Sequence, residues 1–163
     1  MSYSALSVAN EFIKIALSAN EAKYDVTNMK LQKLVYIAHG YHLGLWQTPF
    51  IHNDIHAFEW GPVIPVLYSH LKSYGAAKVD KLIPTSEVRV DPVTEMALVR
   101  KVWNAYGHFD GIQLSRITHK PETPWSKTWA KSKHGVITDD LIQDHYKKLL
   151  DERKAITASQ ATT

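Results

Sequence analysis

The sequence predicts an all-α fold, or nearly so: a compact multi-helix single domain around a buried central helix, with one short β-hairpin allowed near residues 50–60. Helix-capping residues followed by 3.6-residue periodicity recur along the chain. One segment, residues 28–47, is apolar nearly all round. At 163 residues, with 45% hydrophobic and 21% charged, the chain suits a single core. We therefore expect a helical domain over residues 1–154, followed by a disordered C-terminal tail over 155–163.

The first two helices are predicted from their caps and apolar positions. Ser4 is expected to cap a helix that ends near Asn20 and carries one apolar stripe. Thr27 or Asn28 then caps the central helix, which runs to Gln47. Its apolar residues cover most of the circumference, and such a helix is usually buried by neighbours on several sides.

The middle of the chain is less regular. Ile55–Phe58 alternates in polarity and predicts a brief extended piece or hairpin arm. Gly61-Pro62 is expected to open a third helix, because a first turn tolerates proline, with the regular part starting near Ile64. Residues 87–90 are compatible with a short strand.

Four more helices are predicted, with starts at Asp91-Pro92, Asp110, Thr123-Pro124 and Thr138. Gly107 is expected to end the first of these in a left-handed conformation. Gln113 can complete a capping box with Asp110.

Composition limits the compartment and the chemistry. There is no cysteine, which excludes disulfides, thiolate nucleophiles and cysteine-ligated zinc and fits a reducing compartment. The N-terminus lacks a secretory signal pattern, and no stretch is long and apolar enough for a membrane span. We expect a cytoplasmic protein with no membrane partner.

The histidines raise an alternative function, a metal-dependent hydrolase. His39 and His42 are spaced i, i+3, and His52 and His56 are spaced i, i+4 with Glu59 nearby. The chain has nine histidines but no HExxH, so chance spacing explains these pairs more simply. Nucleophile and phosphate-binding motifs are also missing. We expect a protein that is not an enzyme, without catalytic residues, metal or cofactor.

A second alternative is a nucleic-acid-binding regulator. The formal charge is +3, and after residue 80 thirteen basic residues stand against ten acidic ones. These charges are interleaved rather than clustered, which is typical of solvated helix faces. We therefore do not expect a nucleic-acid partner.

Aromatic residues favour a binding protein. The chain has five tryptophans and eight tyrosines, and Trp and Tyr are enriched at interface hot spots. Trp103 is expected in the core. For Trp60 and Trp125, which flank prolines in predicted loops, core and interface positions are equally open.

Three ordered motifs carry a resemblance to a known family. The runs MKLQKLVYIAHGYHL, AFEWGPVIPVLYSHLK and LSRITHKPETPWSK resemble the Panacea domain, the family of SocA-like and GepA-like proteins. The resemblance extends in order from about Val8 to Leu150. The matching motif positions are Leu31, Lys33, Leu34 and Tyr36; Trp60-Gly61-Pro62-Val63; Thr118-His119; and Pro124-Trp125.

The resemblance implies an all-α or nearly all-α antitoxin of a bacterial or phage-borne toxin–antitoxin system. Such proteins neutralise a toxin encoded beside them, generally by direct contact. SocA-like members act as adaptors that deliver the toxin to an AAA+ protease. The partners implied are thus a cognate toxin and an AAA+ protease.

Eight residues are candidates for partner binding or for the family motif: Lys33, Tyr36, His39, Trp60, Gly61, Pro62, His119 and Trp125. Gly61-Pro62 can set a turn. Lys33 and His39 are polar residues on a helix expected to be buried, so each must find a partner or reach solvent. Bracing of the Trp60-Gly61-Pro62 turn and contact with another protein are both open for them.

Overall fold

The computed structural model describes residues 2–161, except for the side chains of residues 156 and 158–161. This part of the chain holds seven α-helices and one two-stranded antiparallel sheet, which confirms the nearly all-α prediction. The helices are α1 (Ala5–Ser18), α2 (Asn28–Trp46), α3 (Pro65–Leu71), α4 (Thr94–Tyr106), α5 (Gly111–Thr118), α6 (Pro124–Lys131) and α7 (Asp139–Ala161). The strands are β1 (His56–Phe58) and β2 (Gly61–Val63).

Helix α2 is the centre of the molecule, as predicted. It is buried over nearly its whole length, and α1, α4, α5 and α7 pack around it. Two glycines on α2 let α7 approach closely. A Cβ on Gly40 would lie 2.2 Å from Cε2 of Tyr146, and one on Gly44 would lie 3.1 Å from Cδ1 of Leu150.

Local capping signals correctly predicted where several helices begin. In each case a side-chain oxygen accepts an N–H group that the first helical turn leaves unpaired. Thr27 rather than Asn28 caps α2. Asp110 and Gln113 form a complete capping box at α5. The other caps with this contact are Ser4, Thr123 and Thr138.

The hairpin near residues 50–60 is present, but the predicted start of the third helix at Gly61-Pro62 is wrong. Residues 61–63 form β2, which pairs with β1 so that Ala57 lies opposite Pro62 and Phe58 lies opposite Gly61. Helix α3 begins later, at Pro65. Proline is favoured in the first turn of a helix, and the proline that occupies this position in α3 is Pro65, not Pro62.

Two predictions around the fourth helix are also wrong. Helix α4 begins at Thr94, and Pro92 and Val93 form a turn before it. The carboxylate of Asp91 accepts the backbone N–H of Val93 at 2.9 Å and that of Thr94 at 3.0 Å, so it stabilises this turn. Gly107 is not left-handed: its φ is −64°, an ordinary right-handed helical value.

The possible strand at residues 87–90 is not formed in the structure. These residues are neither helical nor strand, and the described chain offers them no ladder partner. A strand pattern in sequence needs a neighbouring strand to become a sheet.

Helix α7 continues past residue 154. It runs to Ala161, so the described chain is helical over most of the stretch assigned to a tail, and residues 162–163 lie outside the description. Trp103 is partly buried and packs against the core, 6.5 Å from the ring of Phe12. No described helix has the length and apolar character to cross a membrane.

Candidate functional site

The β1–β2 hairpin rests on two polar side chains of the central helix. Oε1 of Gln32 accepts the backbone N–H of Ile64 at 2.8 Å, and Nζ of Lys33 donates to the carbonyl of Pro62 at 2.8 Å. The Gln32 amide also donates to Asn28 Oδ1 at 3.0 Å. Consecutive residues of α2 therefore satisfy backbone groups at the end of the short hairpin.

Lys33 is a buried lysine. Its side chain is only 2% exposed, and no carboxylate in the described chain lies within ion-pair distance of it. Burial lowers the pKa of Lys33 to about 7, because the charged ammonium loses its hydration without a compensating anion. Its alkyl stem and one hydrogen bond make Lys33 a brace for the hairpin rather than a surface cation.

Gly61 is required by the geometry of the hairpin. Its φ is +113°, a region that side chains with a Cβ rarely adopt. A Cβ there would also lie 3.2 Å from Oγ1 of Thr118 and 3.3 Å from Cε of Lys33. The positive φ thus favours glycine at this position, and the hairpin approaches α2 and α5 so closely that a Cβ would crowd both neighbours.

Helices α5 and α6 hold the hairpin from the other side. The hydroxyl of Ser115 donates to the carbonyl of Trp60 in a short hydrogen bond, and Nε1 of Trp125 donates to the carbonyl of Phe58 at 2.7 Å. Each bond fixes one end of the β1–β2 turn. The turn therefore has a fixed backbone path.

An aromatic cluster supports that contact. The Trp125 ring, 8% exposed, lies edge-on to His119 with ring centroids 5.3 Å apart and stacks on Trp129 at 5.4 Å. Nδ1 of His119 donates to the carbonyl of Ser115 one turn earlier. His119 and Trp125 thus position α5 and α6 against the hairpin.

Trp60 itself faces solvent. Its residue is 61% exposed, although its carbonyl is anchored by Ser115. On α5, one turn before Ser115, Ile112 is also exposed, at 60%. Trp60 and Ile112 thus belong to the large apolar side chains that the described surface exposes.

His39 makes contacts elsewhere. Its Nδ1 accepts the backbone N–H groups of Phe50 and Ile51, each at 3.2 Å. Its Nε2 must then carry the proton, and it donates to the carboxylate of Asp139 at 2.8 Å. His39 connects the loop after α2 to the start of α7.

Tyr36 is a residue of α2 whose side chain lies in the interior, near residues of α5 and α7. It is 1% exposed, its hydroxyl has no protein partner in the described chain, and it borders a cavity of about 40 Å³. Burial raises the pKa of Tyr36.

The comparison with known proteins identifies the family. Residues 31–126, more than half of the chain, match the family described as "Antitoxin SocA-like, Panacea domain". The chain belongs to this family. Antitoxin SocA of Caulobacter vibrioides (strain NA1000 / CB15N) is 28% identical over 134 residues, which cover 76% of this chain and 69% of that protein. No solved structure matches.

The structure brings together six of the eight predicted Panacea motif residues. Around the hairpin lie Lys33, Trp60, Gly61, Pro62, His119 and Trp125. Tyr36 and His39 follow Lys33 on α2 and contact other parts of the core. Of the six, only Trp60 is largely exposed, so the others act as supports within this Panacea domain.

Sequence reasoning missed two of the residues that hold the hairpin. Gln32 is a buried polar residue next to Lys33 on an apolar helix, a signal that could have found it. The other is Ser115, which lies in the third motif, but its hydrogen bond to the Trp60 carbonyl joins residues 55 positions apart. No local pattern indicates such contacts.

The histidine pairs do not converge on a metal site. Both ring nitrogens of His39 already make hydrogen bonds within the chain. Nδ1 of His42 donates to the Thr48 carbonyl at 2.6 Å. Nδ1 of His56 donates to the His134 carbonyl at 2.8 Å. Among the described residues no three or more His, Asp or Glu side chains form a group that could hold a metal ion. The geometry does not favour the metal-dependent hydrolase.

Proposed function

We propose that this Panacea domain neutralises a toxin encoded beside it by direct protein–protein contact. The family match over residues 31–126 and the likeness to an antitoxin are the observations that carry the proposal. The site geometry supports it, because the motif residues build a rigid platform for the hairpin and leave a tryptophan exposed on it.

Trp60 is the proposed anchor of the contact. A stable interface buries on the order of 800 Å² per partner, with most of the binding energy in a few aromatic or arginine residues. Trp60 has 61% of its surface free for burial, and its backbone is already fixed by Ser115. A fixed anchor loses little conformational entropy when a partner covers it.

The contact can serve neutralisation in two ways. The domain can cover the toxin's working surface, or it can act as an adaptor that delivers the toxin to an AAA+ protease. Both place the protein in the cytoplasm with its partners. The half-life of the toxin separates them, since only delivery shortens it.

Expression of the neighbouring open reading frame, with and without this chain, tests the proposal. We expect growth arrest from the neighbour alone, relief when the wild-type chain is present, and a purified complex of the two proteins. A neighbour that is never toxic, or whose toxicity persists beside the chain, would overturn the proposal.

Trp60→Ala tests the anchor. Loss of a central tryptophan typically costs 2 kcal/mol or more of binding, a weakening of about thirtyfold or more in the dissociation constant. Trp46→Ala is the matched control, because Trp46 is 42% exposed and packs on His42 away from the hairpin. Equal toxin affinity for the two variants, measured by calorimetry, would exclude Trp60 as the anchor.

A further inference from the structure

A groove separate from the hairpin runs between α1 and the segment 82–89. Its volume is about 440 Å³, within the usual range of ligand sites. One wall is a single face of α1, formed by Ser7, Asn10, Glu11 and Lys14. The opposite wall includes the irregular residues that follow Leu82.

The irregular wall is held at both ends and unpaired between them. The Asn10 side chain donates to the Ile83 carbonyl at 3.0 Å and accepts the Ile83 N–H at 2.8 Å. Farther along, the Asp91 N–H donates to the hydroxyl of Tyr3 at 3.3 Å. Within the described chain, no backbone hydrogen bond is made by the N–H groups of Thr85, Ser86, Val88, Arg89 and Val90.

The α1 wall contains polar groups with spare hydrogen-bonding capacity. Ser7 is 4% exposed, and its hydroxyl has no partner in the described chain. Glu11 is 6% exposed, and the hydrogen bond to Lys14 at 3.1 Å uses one carboxylate oxygen. Both residues line the groove, and both side chains can accept a further hydrogen bond there.

We propose that this groove binds an extended peptide segment of the toxin, in addition to the contact at Trp60. The inference rests on the proposed function. The toxin segment pairs its backbone with unpaired N–H groups between residues 85 and 90, where only the Glu87 N–H has a partner in the described chain, the Thr85 hydroxyl at 3.1 Å. A lysine or arginine side chain of that segment reaches Ser7 and Glu11, because such a group only donates hydrogen bonds and both sites can accept them.

The segment 85–90 suits strand addition by its side chains as well. The sequence of residues 87–90 is compatible with a strand, and Val88 is 59% exposed, so an added strand would cover it. Glu87 and Arg89 line the groove on either side of Val88 and offer opposite charges to the incoming segment. Pairing of opposite charges across strands favours one register over others.

The first test uses the full-length chain, the co-encoded toxin and hydrogen exchange. We expect the unpaired backbone amides of this segment to exchange fast in the free chain. In the complex, the amides that pair with the added strand, every second one along the segment and Val88 among them, should exchange at least about tenfold more slowly. Unchanged exchange at these amides in a saturated complex would overturn the proposal.

The second test uses substitutions that remove the Ser7 hydroxyl or the Val88 N–H, two groups without a hydrogen-bond partner in the described chain. Ser7→Ala removes a hydroxyl without a partner, so thermal stability should not fall while toxin affinity drops about tenfold. Ser18→Ala is the control on the same helix, since its hydroxyl bonds to Ile15 outside the groove. Val88→Pro removes the backbone N–H that Val88→Ala keeps, so the proline variant should bind more weakly than the alanine variant.

The outcomes distinguish failure of the groove proposal from failure of the antitoxin proposal on which it rests. If the wild-type chain binds and neutralises the toxin while Ser7→Ala and Val88→Pro bind equally well, the groove proposal is wrong and the antitoxin proposal stands. If the wild-type chain does not bind the toxin, both are wrong. If the wild-type chain self-associates and Val88→Pro abolishes this without changing toxin affinity, the groove belongs to a second copy and the proposal fails.

Discussion

At the scale of single residues, the charge state of Lys33 is tied to the folded hairpin. The Lys33 amine donates to the Pro62 carbonyl in a site with almost no water contact, and burial lowers its pKa to about 7. In the unfolded chain the same amine is hydrated and keeps an ordinary lysine pKa near 10.5. Between those values the unfolded chain binds more protons than the folded one.

This difference predicts that stability rises with pH above about 7. When the unfolded state binds more protons, the free energy of unfolding increases with pH, here by up to about 1.4 kcal/mol per pH unit from this group. Lys33→Met keeps the apolar stem but cannot titrate, so its stability should rise less steeply. Urea unfolding of both proteins between about pH 7 and 9 measures the slopes. Parallel slopes would show that Lys33 keeps an ordinary pKa when folded.

The same residue shows how far sequence reasoning extends into the site. Lys33 and His39 stand out because they are polar positions on an otherwise apolar helix, and both are indeed buried and hydrogen-bonded. Their partners, the Pro62 carbonyl and the Asp139 carboxylate, lie 29 and 100 positions away. Such pairings depend on how helices pack, and a local pattern does not contain that information.

At the scale of elements, helix starts were predictable where the signal is local. Asp110 and Gln113, three residues apart, satisfy each other's backbone, so they specify the start of α5 without tertiary help. The hairpin is different, because β2 exists only by pairing with β1 and by contact with α2 and α5. Gly61-Pro62 therefore looked like the start of a helix, and residues 87–90 looked like a strand that found no partner.

The contact between α2 and α7 depends on the absence of a side chain at Gly40. A methyl group there would overlap the buried Tyr146 ring, so Gly40→Ala should destabilise the protein by about 1–3 kcal/mol despite the better helix propensity of alanine.

Gly44→Ala is the matched comparison one turn later. Its Cβ would meet Leu150 and Tyr146 at 3.1 Å, which small shifts can relieve, so the loss should be smaller. Thermal unfolding followed by circular dichroism measures both variants. A Gly40→Ala protein at least as stable as the wild type would show that α7 packs less closely than described.

At the scale of the whole molecule, the family match covers a shorter part of the chain than the residues that build the hydrophobic core. Residues 31–126 take in most of α2 and end just inside α6, whereas α1 and α7 lie outside the match. Yet α1 forms one wall of the groove, and α7 closes the central helix with Tyr146. Both proposed contact regions thus depend on the fold beyond the matched segment.

Truncation of α7 tests where the necessary part of the molecule ends. A stop after Lys154 removes residues 155–163, of which the described side chains at 155 and 157 are exposed, so the melting temperature should change by only ~1 °C.

A stop after Gln143 removes Tyr146, Leu149 and Leu150, which pack on the core of the domain. Tyr146 and Leu150 lie beside Gly40 and Gly44. Loss of that much buried surface exceeds what a small domain can spare, so this chain should not fold cooperatively. Calorimetry and neutralisation assays on both truncations measure the two effects. A large loss of stability from the first truncation alone would place the end of the domain beyond residue 154.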